Sequence, residues 1–237
     1  MILLVHSNRD IAGVNIANSI LENYPFQKTS QTYQQNPVYS ANVNQTQVTF
    51  VTLQEESVQA QYLAQDFPEA ELVVFVSRHS SKSGKPTLSV HTPGNFGDAE
   101  LGGLPRQVSV SPANAMRDAL VALSRLQREN ALDYEVSYEC THHGPSLKVP
   151  TMFVELGSCE VQWRDQAAAK AVGDAAMEAI TKFGSSQASA AVLGIGGTHY
   201  NQKFTDLALD DQVAFGHMIP KYAIPIIDAQ MLLQCIE

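Results

Sequence analysis

The chain has 237 residues, 44% of them hydrophobic and 16% charged, with a formal net charge of −9. That apolar content supports a buried core and excludes intrinsic disorder, while the acidic balance excludes a broad nucleic-acid footprint, which needs clustered Lys and Arg. No stretch approaches the roughly 20 apolar residues of a membrane span. The first residues lack a basic n-region, and Cys140, Cys159 and Cys235 show no CxxC spacing, so an unbridged cytoplasmic protein is expected.

In chain order, residues 2–6 read as a buried strand and 11–24 as a helix with apolar residues at Ile11, Val14, Ile16, Ile20 and Leu21. Residues 27–46 are polar and are expected to form an irregular or hairpin insertion. A strand at 48–53 and a short helix at 58–67 lead to an apolar strand of parallel type at 72–76. A loop over 77–86 precedes a strand at 87–91. Residues 92–106 hold Gly94, Gly97, Gly102, Gly103, Pro93 and Pro105, the composition of a mobile loop. Ser111 as N-cap and Pro112 at the first helical position open a helix running to about Asn130. Strands follow at 134–138 and 151–156, then a helix at 165–183 that stops at Gly184. The last elements are a core strand at 190–195 broken by Gly196-Gly197, a helix at 206–215, a short strand at 217–219 and a helix at 228–235. Strands and helices interleave without a repeat or linker. This predicts a single three-layer α/β domain over residues 1–237, built on a central, mostly parallel or mixed sheet.

Six of the seven histidines stand beside glycine, proline or hydroxyl residues where an apolar run ends: His79, His91, His142, His143, His199 and His217. Strand ends are where α/β enzymes collect polar groups, and imidazole is both the commonest metal ligand and a proton carrier near neutral pH. One composite site holding a metal is therefore expected. In an extended segment His142 and His143 would face opposite ways, so they serve one metal only if the loop kinks, which Gly144-Pro145 permits. Glu139, three residues before His142, and Glu155, near the end of the 151–156 strand, are candidates for ligation or proton transfer. A zinc ion with three protein ligands lowers the pKa of its water to about 7, and an ester carbonyl is an easy electrophile for it. No Ser/His/Asp arrangement is legible, so Ser80, Ser81, Thr92 and Thr141 read as orienting groups. Gly194-Ile195-Gly196-Gly197 lacks the third glycine of a dinucleotide fingerprint and reads as a sharp turn. Arg78, Lys82 and Lys85 place positive charge on the loop that carries His79.

Several blocks in order complete the pattern. They are Ser77-Arg78-His79-Ser80-Ser81-Lys82-Ser83-Gly84, Val90-His91-Thr92-Pro93-Gly94-Asn95-Phe96-Gly97, Thr141-His142-His143-Gly144-Pro145 and Phe153-Val154-Glu155-Leu156-Gly157-Ser158. Gly196-Gly197-Thr198-His199-Tyr200 and Gly216-His217-Met218-Ile219-Pro220-Lys221-Tyr222 follow. As a set they resemble the archaeal and plant-type D-aminoacyl-tRNA deacylases nearly end to end. The resemblance implies a phosphorylase/peptidyl-tRNA-hydrolase-like α/β fold, one or two Zn²⁺ ions per subunit, and hydrolysis of the ester joining a D-amino acid to the 3′ end of tRNA. Metal ligands are then expected among His79, His91, His142, His143, His199 and His217. Catalysis is expected from His79, His142, His143, Glu155 and Glu139, with Glu155 preferred as base or ligand. Arg78, Lys82 and Lys85 would meet the terminal phosphates, and Phe96 or Tyr200 would stack on the terminal adenine.

The 92–106 segment is expected to close over the aminoacyl group. A monomer that grips only the aminoacyl-tRNA acceptor end, with no DNA or membrane partner, needs few phosphates neutralised. One departure is visible: Cys159-Glu160-Val161-Gln162-Trp163 is less acidic than the family's segment, and Glu160 is given no role. Two other readings compete, a zinc hydrolase of small amides or peptides and a non-catalytic nucleoside- or phosphate-binding module using Gly194 to Gly197.

Overall fold

In the computed structural model, which describes residues 1–186, 188 and 190–236, continuous apolar runs become inner strands. β1 (Ile2–Ser7) is buried at every position, because a strand with neighbours on both edges and cover on both faces has no solvent side. Asp10 caps α1 (Ile11–Asn23) by accepting from the Gly13 N–H. β2 (Gln27–Tyr33), β3 (Asn36–Val43) and β4 (Thr46–Leu53) form an antiparallel ribbon, so the polar insertion is regular structure. Its turns fall at Gln34-Gln35 and Asn44-Gln45, where all four residues have positive φ, the conformation of two-residue hairpin loops. After a 3₁₀ turn and α2 (Leu63–Asp66) come β5 (Leu72–Arg78), β6 (Thr87–His91), β7 (Gly94–Asn95), β8 (Gln107–Val108) and α3 (Ala113–Glu129). β9 (Glu135–Tyr138), β10 (Thr151–Gly157), α4 (Glu160–Trp163), α5 (Gln166–Lys182), β11 (Ala190–Ile195), α6 (Gln202–Asp210), β12 (Val213–Ile219) and α7 (Ala229–Ile236) complete the order.

The main sheet has eight strands in the order β2-β3-β4-β1-β5-β10-β6-β9. The centre, β4-β1-β5-β10, is parallel, β6 runs against β10, and β9 follows β6. One face packs on α1, α3 and α5, where Leu4, Val74, Val76, Met152 and Val154 meet Ile16, Ile20, Leu120 and Val172. The other face, carrying Leu3, Val5, Val73, Phe75 and Phe153, is covered by short elements that bring Leu63, Leu147 and Val149. Pleating alternates side chains, so on this thinly covered face Phe75 is followed by Ser77, and Phe153 by Glu155. Ser89 and His91 of β6 lie opposite Glu155 and Phe153. The polar ends of three central strands therefore share one side of the sheet.

Local details depart from expectation for identifiable reasons. Pro112 is itself the cap residue of α3, and Ser111 Oγ bonds Thr92 Oγ1 at 2.7 Å instead of capping. The helix expected over 206–215 ends at Asp210 in α6, and the alternating Val213 and Phe215 enter β12. Among the described residues β11, expected in the core, pairs only with β12, and it exposes Ala190 and Ile195. The 92–106 segment is pinned at several points. Asn95 Nδ2 donates to the carbonyls of Gly102 and Leu104 at 2.9 and 3.3 Å. The Gly94 N–H donates to His143 O at 2.6 Å, and the Gly144 N–H to Leu101 O at 3.0 Å. Among the described residues no helix is long and apolar enough to cross a membrane.

The tightest approach is between Gly144 and Gly103, where a Cβ on Gly144 would sit 2.1 Å from the Gly103 nitrogen. Gly144→Ala is expected to lower the unfolding free energy by about 1–3 kcal/mol, the scale of overpacking, read as a lower urea midpoint. Gly84→Ala is the control, with φ at +65° but nothing within 4 Å, and should lose only about 1 kcal/mol. Equal losses in the two variants would mean that the Gly103–Gly144 contact carries no special load.

Candidate active site

A cleft of about 560 Å³ opens where the polar strand ends gather, with Arg78, His79, His142, His143, Glu155 and His199 in its wall. At its base Glu155 is buried, and Oε1 accepts from Ser77 Oγ at 2.6 Å. Glu155 Oε2 lies 3.6 Å from both His79 Nδ1 and His91 Nε2. His91 is fully buried, its ring stacked on Phe153 at 5.1 Å. Neither of its ring nitrogens has a hydrogen-bond partner among the described residues. A buried polar group left so is costly, on the order of 1–3 kcal/mol, unless something else occupies it.

His142 and His143 supply what His91 faces. His143 has φ of +43°, and this left-handed residue is the kink that turns adjacent side chains to one side. Their ring centroids are 4.3 Å apart, and they lie 4.2 and 4.7 Å from that of His91. The Nδ1–H of His142 donates to Cys140 O and that of His143 to Gly144 O, each at 2.8 Å. Each ring thus keeps Nε2 for a ligand, with the outer nitrogen fixing tautomer and orientation as in metal-binding histidines. One ligand atom from each of His91, His142 and His143 lies within 4.8 Å of the others. An orphaned imidazole beside two correctly backed ones fits a metal ion.

Beside this group Glu139, fully buried, accepts from His199 Nε2 at 2.8 Å, while its Oε1 lies 3.1 Å from His79 Nδ1. His79 Nε2 bonds the Tyr200 hydroxyl at 2.5 Å. His79, Glu139 and Glu155 form a further group able to hold a metal, and Cys140, His142 and His199 another.

Burial, then the charges of His91 and His143, hold His142 well below the ordinary imidazole range. Burial and His91 bring His143 down to about 4. Both rings are neutral at physiological pH, the form that ligates. Burial alone would raise the two carboxyls. The His199 hydrogen bond with the charges of His79 and His142 instead brings Glu139 down to about 2, and His79 with His91 holds Glu155 well below its usual range. Against burial, Glu155 and Glu139 raise His79, and Cys140 and Glu139 push His199 up to about 10.

The remaining expected residues fall elsewhere. His217 is buried with both nitrogens engaged, Nδ1 accepting from Thr141 Oγ1 at 3.0 Å and Nε2–H donating to Ser109 O at 2.9 Å. It ties β12 to two loops and stands outside the metal-capable groups. Phe96 is buried with Val108, Ile219 and Met231, which removes it from stacking on a base. Tyr200 is half-buried, its hydroxyl on His79. Arg78 is held by Glu56 at 2.9 Å and by Arg9 O, 5.6 Å over the Trp163 ring. Lys85 pairs with Glu135, whereas Lys82 is exposed and has no ion pair among the described residues. Thr92 is spent on Ser111 and Met116. Gly194 lies within β11 against Phe204, while Gly196 and Gly197, both with positive φ, make the turn that follows, Gly197 packing on Asn201, the cap of α6. Sequence reasoning missed Ser77, Cys140 and Asp10. Asp10 lines the cleft and accepts from the Arg78 N–H at 2.6 Å, and burial pushes its carboxyl up to about 6. Its place immediately before the first helix was the available signal.

Fold and site together define an α/β enzyme whose cleft pairs a metal-capable histidine group with buried carboxylates. The sequence profile of the D-aminoacyl-tRNA deacylase family matches residues 66–237. D-aminoacyl-tRNA deacylases from Pyrococcus horikoshii and Thermococcus kodakarensis are 36% and 37% identical to it, over 95% and 96% of this chain and 82% and 83% of theirs. A crystal structure described as a conserved protein of unknown function superposes with a TM-score of 0.89 at 30% identity, covering 100% of this chain and 82% of that one. Futalosine hydrolase of Helicobacter pylori is similar in fold alone, with a TM-score of 0.50 and 10% identity over 77% of this chain and 100% of that one. The chain belongs to the D-aminoacyl-tRNA deacylase family.

Burial takes the His217 imidazole from its ordinary 6.5 down to about 4. Between those values the unfolded chain binds a proton there and the folded chain does not. The residue's contribution to stability is therefore complete above 6.5 and is lost as pH falls toward 4. The stability advantage of the parent over His217→Gln should shrink by about 1–2 kcal/mol between about pH 7.5 and about pH 5, by urea unfolding. A gap that stays constant with pH would contradict the buried neutral ring.

Proposed function

We propose that the protein hydrolyses the ester of D-aminoacyl-tRNA to free D-amino acid and tRNA, with zinc held by His91, His142 and His143. The observation that carries this reading is the convergence of five imidazoles and two buried carboxylates in one cleft of a chain that belongs to the deacylase family. Because the contributing residues are spread from β5 to beyond α5, residues 1–237 act as one deacylase domain. When bound, zinc supplies the Lewis acidity that ester hydrolysis needs at neutral pH.

The chain's own groups handle the proton. Glu155, anchored by Ser77 and kept ionised by its two histidine neighbours, receives a proton from the attacking water. His79, whose proton affinity is raised by Glu155 and Glu139, carries a proton beforehand. As the carbonyl–oxygen bond breaks, His79 gives that proton to the departing ribose oxygen and takes the one held by Glu155 in its place. Tyr200, bonded to His79 Nε2, and Glu139, beside Nδ1, hold the ring in place.

Lys82 meets a phosphate of the acceptor end, while Arg78, already paired, braces the cleft wall. This division suits an acidic monomer in the cytoplasm that neutralises few phosphates. Hydrolysis of matched D- and L-aminoacyl-tRNA, with and without chelator, tests the whole. D-ester turnover alone, lost on chelation and restored by zinc, is expected. Indifference to chelator would sink the metal, and equal turnover of both esters would sink the stereochemical assignment.

Lys82→Glu should raise KM for aminoacyl-tRNA several-fold, leave kcat unchanged, and reduce the salt slope of binding by about 1. An unchanged KM would remove Lys82 from the interface.

A further inference from the structure

Pro220-Lys221-Tyr222 ends the last of the sequence blocks, and the reaction just described gives Tyr222 no task. It is 65% exposed, and among the described residues it is the one Phe, Tyr or Trp classed with the exposed side chains. The ring is held all the same. Its hydroxyl lies 3.4 Å from both Cys140 Sγ and His199 Nδ1, at the edge of the cleft that His199 lines. The backbone beneath it is a tight turn, in which the Lys221 N–H donates to Gly197 O and the Ala223 N–H to Pro220 O, each at 2.9 Å. A ring kept in water with only its polar tip fastened presents a preset apolar face, and a tyrosine has few rotamers to lose when something covers it.

The position of the ring indicates what covers it. His199 gives its Nε2 proton to Glu139 Oε2 at 2.8 Å, and Glu139 Oε1 lies 3.1 Å from His79 Nδ1. Tyr222 is thus joined through two side chains to the imidazole that protonates the departing ribose oxygen. The base carried by that ribose must lie one sugar away from the reacting atoms, against whatever flat surface stands there. Phe96 is buried and the Tyr200 hydroxyl is on His79, so Tyr222 is the aromatic face left open at this rim. Lys221 beside it is exposed and has no ion pair among the described residues. An open aromatic face next to a free cation is the pairing by which proteins hold single-stranded nucleic acid.

We infer that the Tyr222 ring is the platform on which the 3′-terminal adenine of aminoacyl-tRNA stacks. The inference rests on the reading of the cleft as a deacylase site for the identity of that nucleoside. Every base has a π-face, so stacking fixes where the ester lies without selecting among tRNAs. The hydroxyl tether to His199 sets the ring, and with it the base, in register with Glu139 and His79.

The test measures Kd by calorimetry on the full chain for two probes that cannot be hydrolysed. One is 3′-deoxy-3′-(D-alanylamino)adenosine, and the other is the same molecule with hydrogen in place of the base. For the adenosine probe, Tyr222→Leu should raise Kd at least about fivefold, and Tyr222→Phe, which keeps the ring, should stay within about twofold of the parent. For the abasic probe the parent and Tyr222→Leu should bind alike, because the missing base and the missing ring belong to one contact. The inference is overturned by an adenosine-probe Kd that Tyr222→Leu does not move, or by a parent that does not bind this probe. An equal loss with both probes, the mark of a side chain that only packs, overturns it as well, and so does a Phe variant as weak as the Leu variant. A parent that binds the adenosine probe through Tyr222 yet leaves D-aminoacyl-tRNA intact overturns the deacylase reading, and leaves the stacking platform standing.

Discussion

The bend at His143 governs the cleft. Its positive φ turns two consecutive side chains to one side, and neighbouring backbone holds it there through the Gly94 N–H on its carbonyl and the Leu101 carbonyl on the next amide. Gly144 has room for this only because no Cβ stands between it and Gly103. The glycine-rich segment that looked free in sequence is thus the clamp that sets the imidazoles. Without the bend, one ring would face away from His91, and the buried nitrogens of His91 would have little to share a cation with.

Around the bend, electrostatics follow from burial. His142 and His143, taken out of water, hold the neutral form that is able to ligate, while Glu139 and Glu155 stay ionised because each has histidines against it. The same carboxylates raise His79. One cleft therefore holds neutral imidazoles on one side and a proton-carrying imidazole on the other. That division is what ester hydrolysis by an activated water requires. His142, lying between His91 and His199, is the point where the two metal-capable groups meet.

Charge outside the cleft is sparing. Arg78 and Lys85 are committed to Glu56 and Glu135, and Lys82 alone of the trio projects without an ion pair among the described residues. Arg78 works instead as part of the wall, between the Asp10 cap that accepts its N–H and the Trp163 ring under its guanidinium. A basic residue near a site is thus as often a brace as a contact. Only the partners around it tell which.

The amino-acid order by itself determined the α/β class, the main strands and most helices, and the gathering of histidines at strand ends, because apolar periodicity and turn residues act locally. The motif blocks carried the family as well. Tertiary structure decided which groups stand close enough to hold a cation between them. It put both nitrogens of His217 on Thr141 and Ser109, buried Phe96 under α7, and gave Tyr200 to His79 instead of to open solvent. It also drew Cys140, Ser77 and Asp10 to the cleft or its edge. Such assignments depend on distances between residues remote in sequence and on one left-handed peptide, and neither residue type nor spacing encodes those.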